Sequence, residues 1–280
     1  MNKDRIFYLH IPKTAGTSMN TFLSSGFDDK EVLTHLESNK IMNSANFAKK
    51  AEKYKFISGH VVLPRVIRDL DVFNTMTTVA TFRRPIEHVV SHISWVRKLG
   101  DPGQEKKLER HTPEIQKIVD KLMQIDLSNP DDVTALIRWL EDEELYLFHN
   151  TQTKYLCGGA PGVFTPQMIN AALVHLDKID YVGTVERLDD FYLLLAGSLG
   201  LKVNKCDIKK ENANGINYGI DVTKPEIAKT LQPLIGWDNV VYRIARERFI
   251  DELHRFLIQL EKDKWVGFST VKVNMINRII

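Results

Sequence analysis

The chain has 280 residues, with 38 lysines and arginines against 36 aspartates and glutamates and a formal net charge of +2. It is 43% hydrophobic and 26% charged, with 15 Gly and 10 Pro, ordinary globular usage that excludes a collagen-like or low-complexity chain. So balanced a charge excludes a protein that binds nucleic acid or membrane with its whole surface and directs the search for an anion site to a local basic pocket.

The polar start at Met1 to Arg5 runs into the apolar, β-prone residues 6–11, which stop at Pro12 and predict a buried strand. From Thr14 the chain offers Thr, Gly, Thr and Ser, then Met19, Phe22 and Leu23 at helical spacing, a loop turning into a helix. Residues 54–58 and 77–82 predict two more strands, followed by Gly59-His60 and by Arg83-Arg84-Pro85. Ile86, Val89, Val90, Ile93 and Val96 then predict a second helix after a strand and a polar turn. Residues 101–148 change character: a turn at Asp101-Pro-Gly103 precedes two amphipathic helices, marked by Ile115, Ile118, Val119 and Leu122 and by Val133, Leu136, Ile137 and Leu140. This helical elaboration is expected to face an acceptor as a roof or wall rather than to form core.

Thr165 is the expected N-cap, and Pro166 the first helical position, of a helix through Leu176. Residues 179–184 predict a strand and 191–199 a buried helix ending at Gly200. The polar run from Lys209 to Gly215 is a mobile connection or a ligand-covering loop, and Thr223-Lys-Pro-Glu226 fits a capping box. Val240, Val241, Ile244, Phe249, Leu253 and Phe256 predict a long amphipathic helix. Cys157 and Cys206 lack metal-ligand spacing and are expected as thiols rather than a disulfide. The first apolar run is too short for a signal-peptide core, and residues 191–201 fall below the ~20 needed to cross a bilayer. These features predict a cytoplasmic protein with no membrane span, forming a single domain over residues 1–280; a homo-oligomer is compatible with them. Strands alternating with helices imply an α/β fold of P-loop-like, three-layer form, a central parallel sheet flanked by helices. Its ligands belong outside the carboxyl ends of the strands.

The polar clusters sit at those ends. In His10-Ile-Pro-Lys-Thr-Ala-Gly-Thr-Ser18, a lysine, three hydroxyls and a glycine surround a helix start whose free N–H groups and dipole favour an anion. The lysine precedes the glycine, so this is not the nucleotide-hydrolase order G-x-x-x-x-G-K-[ST]. An ordinary turn with a capping hydroxyl is the plain alternative. In the second cluster, Arg83 stands at a strand end and Ser91 about two turns into the next helix; the arginine fork suits a second phosphate, or a surface salt bridge.

The two segments H-I-P-K-T-A-G-T-S and F-R-R-P-I-E-H-V-V-S together resemble the binding elements of sulfotransferases that use 3′-phosphoadenosine 5′-phosphosulfate (PAPS), nearest to the carbohydrate branch with the heparan sulfate 2-O- and 6-O-sulfotransferases. Asn150-Thr-Gln-Thr-Lys-Tyr-Leu-Cys-Gly158 is similar to the family's N-x-Q-x-x-x-L-x-G segment, Tyr181 to Leu188 to its strand-plus-acid segment, and Trp237 to Tyr242 to its D-x-x-[LV]-Y helix. The resemblance implies that Lys13, Thr14, Ala15, Gly16, Thr17 and Ser18 hold the 5′-phosphosulfate and that Arg83 and Ser91 hold the 3′-phosphate. The chain departs from the family in Arg84, where an acid is usual, and in Ser58-Gly59-His60, where the 2-O branch has H-G-H.

It also implies a sulfuryl transfer to a hydroxyl-bearing acceptor, with PAPS as donor, 3′,5′-bisphosphate (PAP) as product and no metal. His60 is then the base, its ordinary pKa near ~6.5 suiting proton removal at neutral pH, and Lys13 neutralises charge on the leaving phosphate. His10 and Glu186 are the alternative bases. A lone histidine after a strand is otherwise structural. Lys209 and Lys210 are candidates to cap the nucleotide, while His88 and His92, four apart, lack the acid of a metal motif. A nucleotide or metabolite kinase and a non-catalytic nucleotide-binding module remain as alternative readings, and the acceptor is open.

Overall fold

The structure, a computed structural model, describes residues 4–44, 46–158, 164–201 and 218–262. Five parallel strands form one sheet: β1 (Ile6–Leu9), β2 (Val32–Leu33), β3 (Phe56–Gly59), β4 (Thr77–Phe82) and β5 (Tyr181–Thr184), in the order β2-β3-β1-β4-β5. Every residue of β1, β3 and β4 is buried, as expected for strands covered on both faces. The fold is thus three-layer α/β with a central parallel sheet.

After β1 comes α1 (Gly16–Ser24), and α2 (Phe47–Ala51) precedes β3. Between β3 and β4 lie α3 (Leu63–Leu70) and α4 (Val72–Thr75), and α5 (Pro85–Lys98) follows β4. The block at 101–148 carries α6 (Glu105–Leu108), α7 (Pro113–Leu122) and α8 (Pro130–Asp142); α9 (Thr151–Cys157) and α10 (Pro166–Lys178) then lead to β5. The remaining helices are α11 (Leu188–Leu199), α12 (Pro225–Thr230) and α13 (Gly236–Lys262).

Two features of the sheet make the site. The chain leaves β1 toward β2 and β3 on one side and crosses to β4 on the other, so the strand order reverses at β1, the point where parallel sheets open a crevice. The register pairs Leu9 with both Gly59 and Ala80. His10 and His60, each the next residue in its chain, therefore emerge side by side, while β4 runs on to Phe82 before releasing Arg83.

The block at 101–148 departs from the roof expected of it. Ile118, Val119 and Leu122 of α7 and Val133, Leu136 and Leu140 of α8 are buried with Val89, Ile93 and Val96 of α5 and with Ile227, Leu231 and Leu234. These helices build with α5 a second apolar core, separate from the one around the sheet, and residues 220–235 complete it.

Local signals behave unevenly. Thr165 caps α10 by accepting the Met168 N–H at 3.3 Å, and Gly200 ends α11 at φ 63°. Thr223 does not cap α12: its hydroxyl and N–H both donate to Asp221 Oδ1, at 2.6 and 3.0 Å, because an Asx turn offers it a nearer acceptor. The two-residue β2 is too short for a period-2 pattern, and the sequence reading has no counterpart for it. No helix among the described residues is long and apolar enough to cross a membrane.

Candidate anion-binding and catalytic site

The loop between β1 and α1 is built on left-handed backbone. Lys13 (φ 66°) and Ala15 (φ 62°) both take this conformation although neither is glycine, a costly arrangement that recurs at functional loops. Thr14 between them is fully buried, and its hydroxyl donates to the Ile11 carbonyl at 2.8 Å, so it braces the loop from within. Ala15 is the N-cap of α1 and supplies no side-chain acceptor. The first-turn N–H groups at Gly16, Thr17 and Ser18 thus have no side-chain cap, the state in which a helix start receives an anion. Thr17 is exposed and Ser18 half-buried.

Gly16 has a reason that its spacing does not suggest. A Cβ built there falls inside the His10 imidazole, so glycine admits the ring of the residue that follows β1. His88 of α5 supports the same loop by donating its Nε2–H to the Pro12 carbonyl at 2.8 Å.

Arg83 is fixed by its backbone. Gln152, fully buried on α9, accepts the Arg83 N–H at 2.8 Å and donates to the Arg83 carbonyl at 2.9 Å. Gln152 is itself held by an exchange of caps: Asp238 accepts the N–H groups of Gln152 and Thr153 at the start of α9, while Asn150 Oδ1 accepts those of Trp237 and Asp238 at the start of α13. The Arg83 guanidinium turns toward the loop, with Nη1 3.5 Å from the Lys13 carbonyl and Nε buried without a hydrogen-bond partner. Its nearest acid is Glu87, at 4.0 Å. Ser91 is half-buried on α5.

Positive charge gathers here. Burial, then the charges of Arg83, Lys107 and Lys98, push the Lys13 pKa below its ordinary value, and Lys13 has no carboxylate partner among the described residues. An anion between Lys13 and Arg83 relieves that repulsion. Lys107 comes from α6, so the helical block adds charge to the crevice.

His60 lies beside this cradle. Its Nδ1 is 2.8 Å from the His10 carbonyl, and the two rings are 4.0 Å apart at their centroids. A carbonyl only accepts, so Nδ1 carries the proton and Nε2 is the basic nitrogen. Burial lowers the His60 pKa, and it takes that of His10 to about 3 and that of His88 to about 4. Three neutral histidines therefore border a cationic loop at neutral pH.

Other candidates fall elsewhere. Glu186 accepts the Arg84 N–H at 2.7 Å and the Tyr242 hydroxyl at 3.0 Å, a structural bracket. His10 is buried with its ring against Gly16. His88 and His92 are both buried with rings 6.0 Å apart, and the described residues hold no cluster suited to a metal. Lys209, Lys210 and Cys206 lie outside the described residues. The sequence reading gave no site role to Lys98 or Lys107; it held Gln152 only as the Q of the segment starting at Asn150 and His88 only as a histidine lacking a metal motif. No protein-family model matches the chain, and no curated protein matches it.

Proposed function

We propose that the protein is a sulfotransferase that moves the sulfuryl group of PAPS to an acceptor hydroxyl on a carbohydrate or other small alcohol. The observation that carries this reading is the convergence at one sheet edge of a neutral histidine with its basic nitrogen unprotonated and a cradle whose lysine has no carboxylate partner among the described residues. The α1 start and Lys13 would take the phosphosulfate, and Arg83 with Ser91 the 3′-phosphate. The buried Arg83 Nε, 4.0 Å from Glu87, makes no hydrogen bond, which fits a group that accepts one. Arg83 also stands directly after β4, where a kinase reading would look for a metal-binding acid.

In this reading the acceptor hydroxyl gives its proton to His60 Nε2 as its oxygen bonds to sulfur. The sulfur–oxygen bond to the 5′-phosphate breaks, and 3′,5′-bisphosphate leaves with its growing charge met by Lys13. A thermal-shift comparison tests the donor assignment. PAP is expected to raise Tm more than ATP with Mg²⁺, and at 100 times its Kd to add ~2.7 kcal/mol. Equal shifts from the two nucleotides overturn the assignment.

A further inference from the structure

We propose that Glu37 is the positioning residue of His60, its carboxylate holding the Gly59–His60 turn so that the imidazole keeps Nδ1 on the His10 carbonyl and Nε2 toward the crevice. That His60 serves as a base rests on the function proposed above; that Glu37 holds it rests on the hydrogen bond to the His60 N–H and on a carboxylate charge beside the ring.

The topology delivers the carboxylate. Because β2 ends at Leu33 while its neighbour β3 continues to Gly59, the chain after β2 is free to turn over the carboxyl end of β3. His35 makes that turn in left-handed backbone at φ 53°, and a single 3₁₀ turn, Leu36–Ser38, follows. Glu37 Oε2 then accepts the His60 N–H at 2.8 Å, and Oε1 lies 3.5 Å from His35 Nδ1. Gly59 is what allows the approach: a Cβ there would stand 2.6 Å from Glu37 Oε2 and 2.7 Å from the Leu36 backbone nitrogen, closer than real Cβ contacts. The glycine before the histidine thus makes room for a carboxylate from 23 residues upstream.

His60 is held at two points, its backbone by Glu37 and its ring by the His10 carbonyl. The ionisable groups facing it are His10 and Lys13 from the β1 loop, His35 and Glu37 from the turn after β2, and His92 from α5. Glu37 is the one carboxylate in that set, and with the His10 carbonyl it opposes the burial that lowers the His60 pKa. One acid in this place keeps the base from becoming too weak.

The test is an NMR titration of the His60 ring in the full-length protein, with Glu37→Gln and Glu37→Ala variants. Glu37→Gln keeps an acceptor for the His60 N–H and removes the charge, so His60 is expected to titrate at lower pH than in the wild type. Glu37→Ala removes the acceptor as well, so nitrogen shifts are expected to show loss of the single Nδ1–H tautomer. Transfer, measured beside the titration, should fall roughly 10- to 100-fold in Glu37→Ala, the scale of a displaced catalytic group, with PAP affinity unchanged. A Glu37→Gln titration identical to wild type, or an unaltered tautomer in Glu37→Ala, overturns the proposal. The spectra need no turnover: if they shift as expected while the wild type transfers no sulfuryl group, the function proposed above fails and the role of Glu37 stands.

Discussion

Replacing Gly16 by alanine tests whether the phosphate-loop glycine is there for His10. The new methyl group would fall inside the imidazole, so the ring must swing away from its place between Tyr8, 5.7 Å off by centroid, and His60, at 4.0 Å. Two ring contacts of ~0.5–1.5 kcal/mol each are lost, and crowding adds ~1–3 kcal/mol. The gain in helix propensity offsets about 1 kcal/mol, leaving a net loss of about 3 kcal/mol and, for a chain of this size, roughly 5–10 °C in Tm. The assay is urea unfolding at pH 7 of the wild type, Gly16→Ala, His10→Ala and the double variant. Once the ring is gone the methyl fits, so the double variant should be no less stable than His10→Ala, giving a coupling energy of about 2–3 kcal/mol. Additive losses, or a Gly16→Ala protein within about 0.5 kcal/mol of wild type, refute the explanation.

Gln152→Leu leaves the N–H and carbonyl of half-buried Arg83 unpaired, and at ~1–3 kcal/mol for each the urea midpoint should show a loss of about 2–6 kcal/mol; calorimetric titration should show weaker PAP binding, and unaltered stability and binding refute the bracket. Stability should also fall with acid. His10 and His88, pushed by burial to about 3 and about 4, bind protons more readily when unfolded, so stability declines as pH drops through 6.5 toward 4, the His88 shift alone being on the order of 3 kcal/mol. Asp238, pushed by burial up to about 6, works the other way between its ordinary 3.8 and 6. The two histidines outweigh it, and a urea midpoint at pH 5 equal to that at pH 7 contradicts the neutral-histidine description.

Patterns carried in neighbouring residues were legible in the sequence. The loop after β1, the β4–α5 unit and the Thr165 cap of α10 each write their signal within a few positions. What joined distant segments was not. Gln152 reaches Arg83 across 69 positions and Asp238 reaches Gln152 across 86, bonds that exist only because α9 and α13 begin side by side. Spacing showed apolar faces on α7 and α8, but not that α5 and residues 220–235 would cover them, so a core was expected to be a roof. Gly16 read as part of an anion loop and Gly59 only as the residue before His60, and in each the missing Cβ makes room for a side chain from another segment.

The most direct test of the proposed chemistry is transfer of labelled sulfuryl from PAPS to candidate hydroxyl acceptors by the wild type and by His60→Ala. The account predicts labelled product with the wild type, a kcat in His60→Ala lower by roughly 10²–10⁴, PAP affinity near wild type, and loss of the pH limb set by His60. A His60→Ala protein that transfers label at a near-normal rate across pH would contradict it.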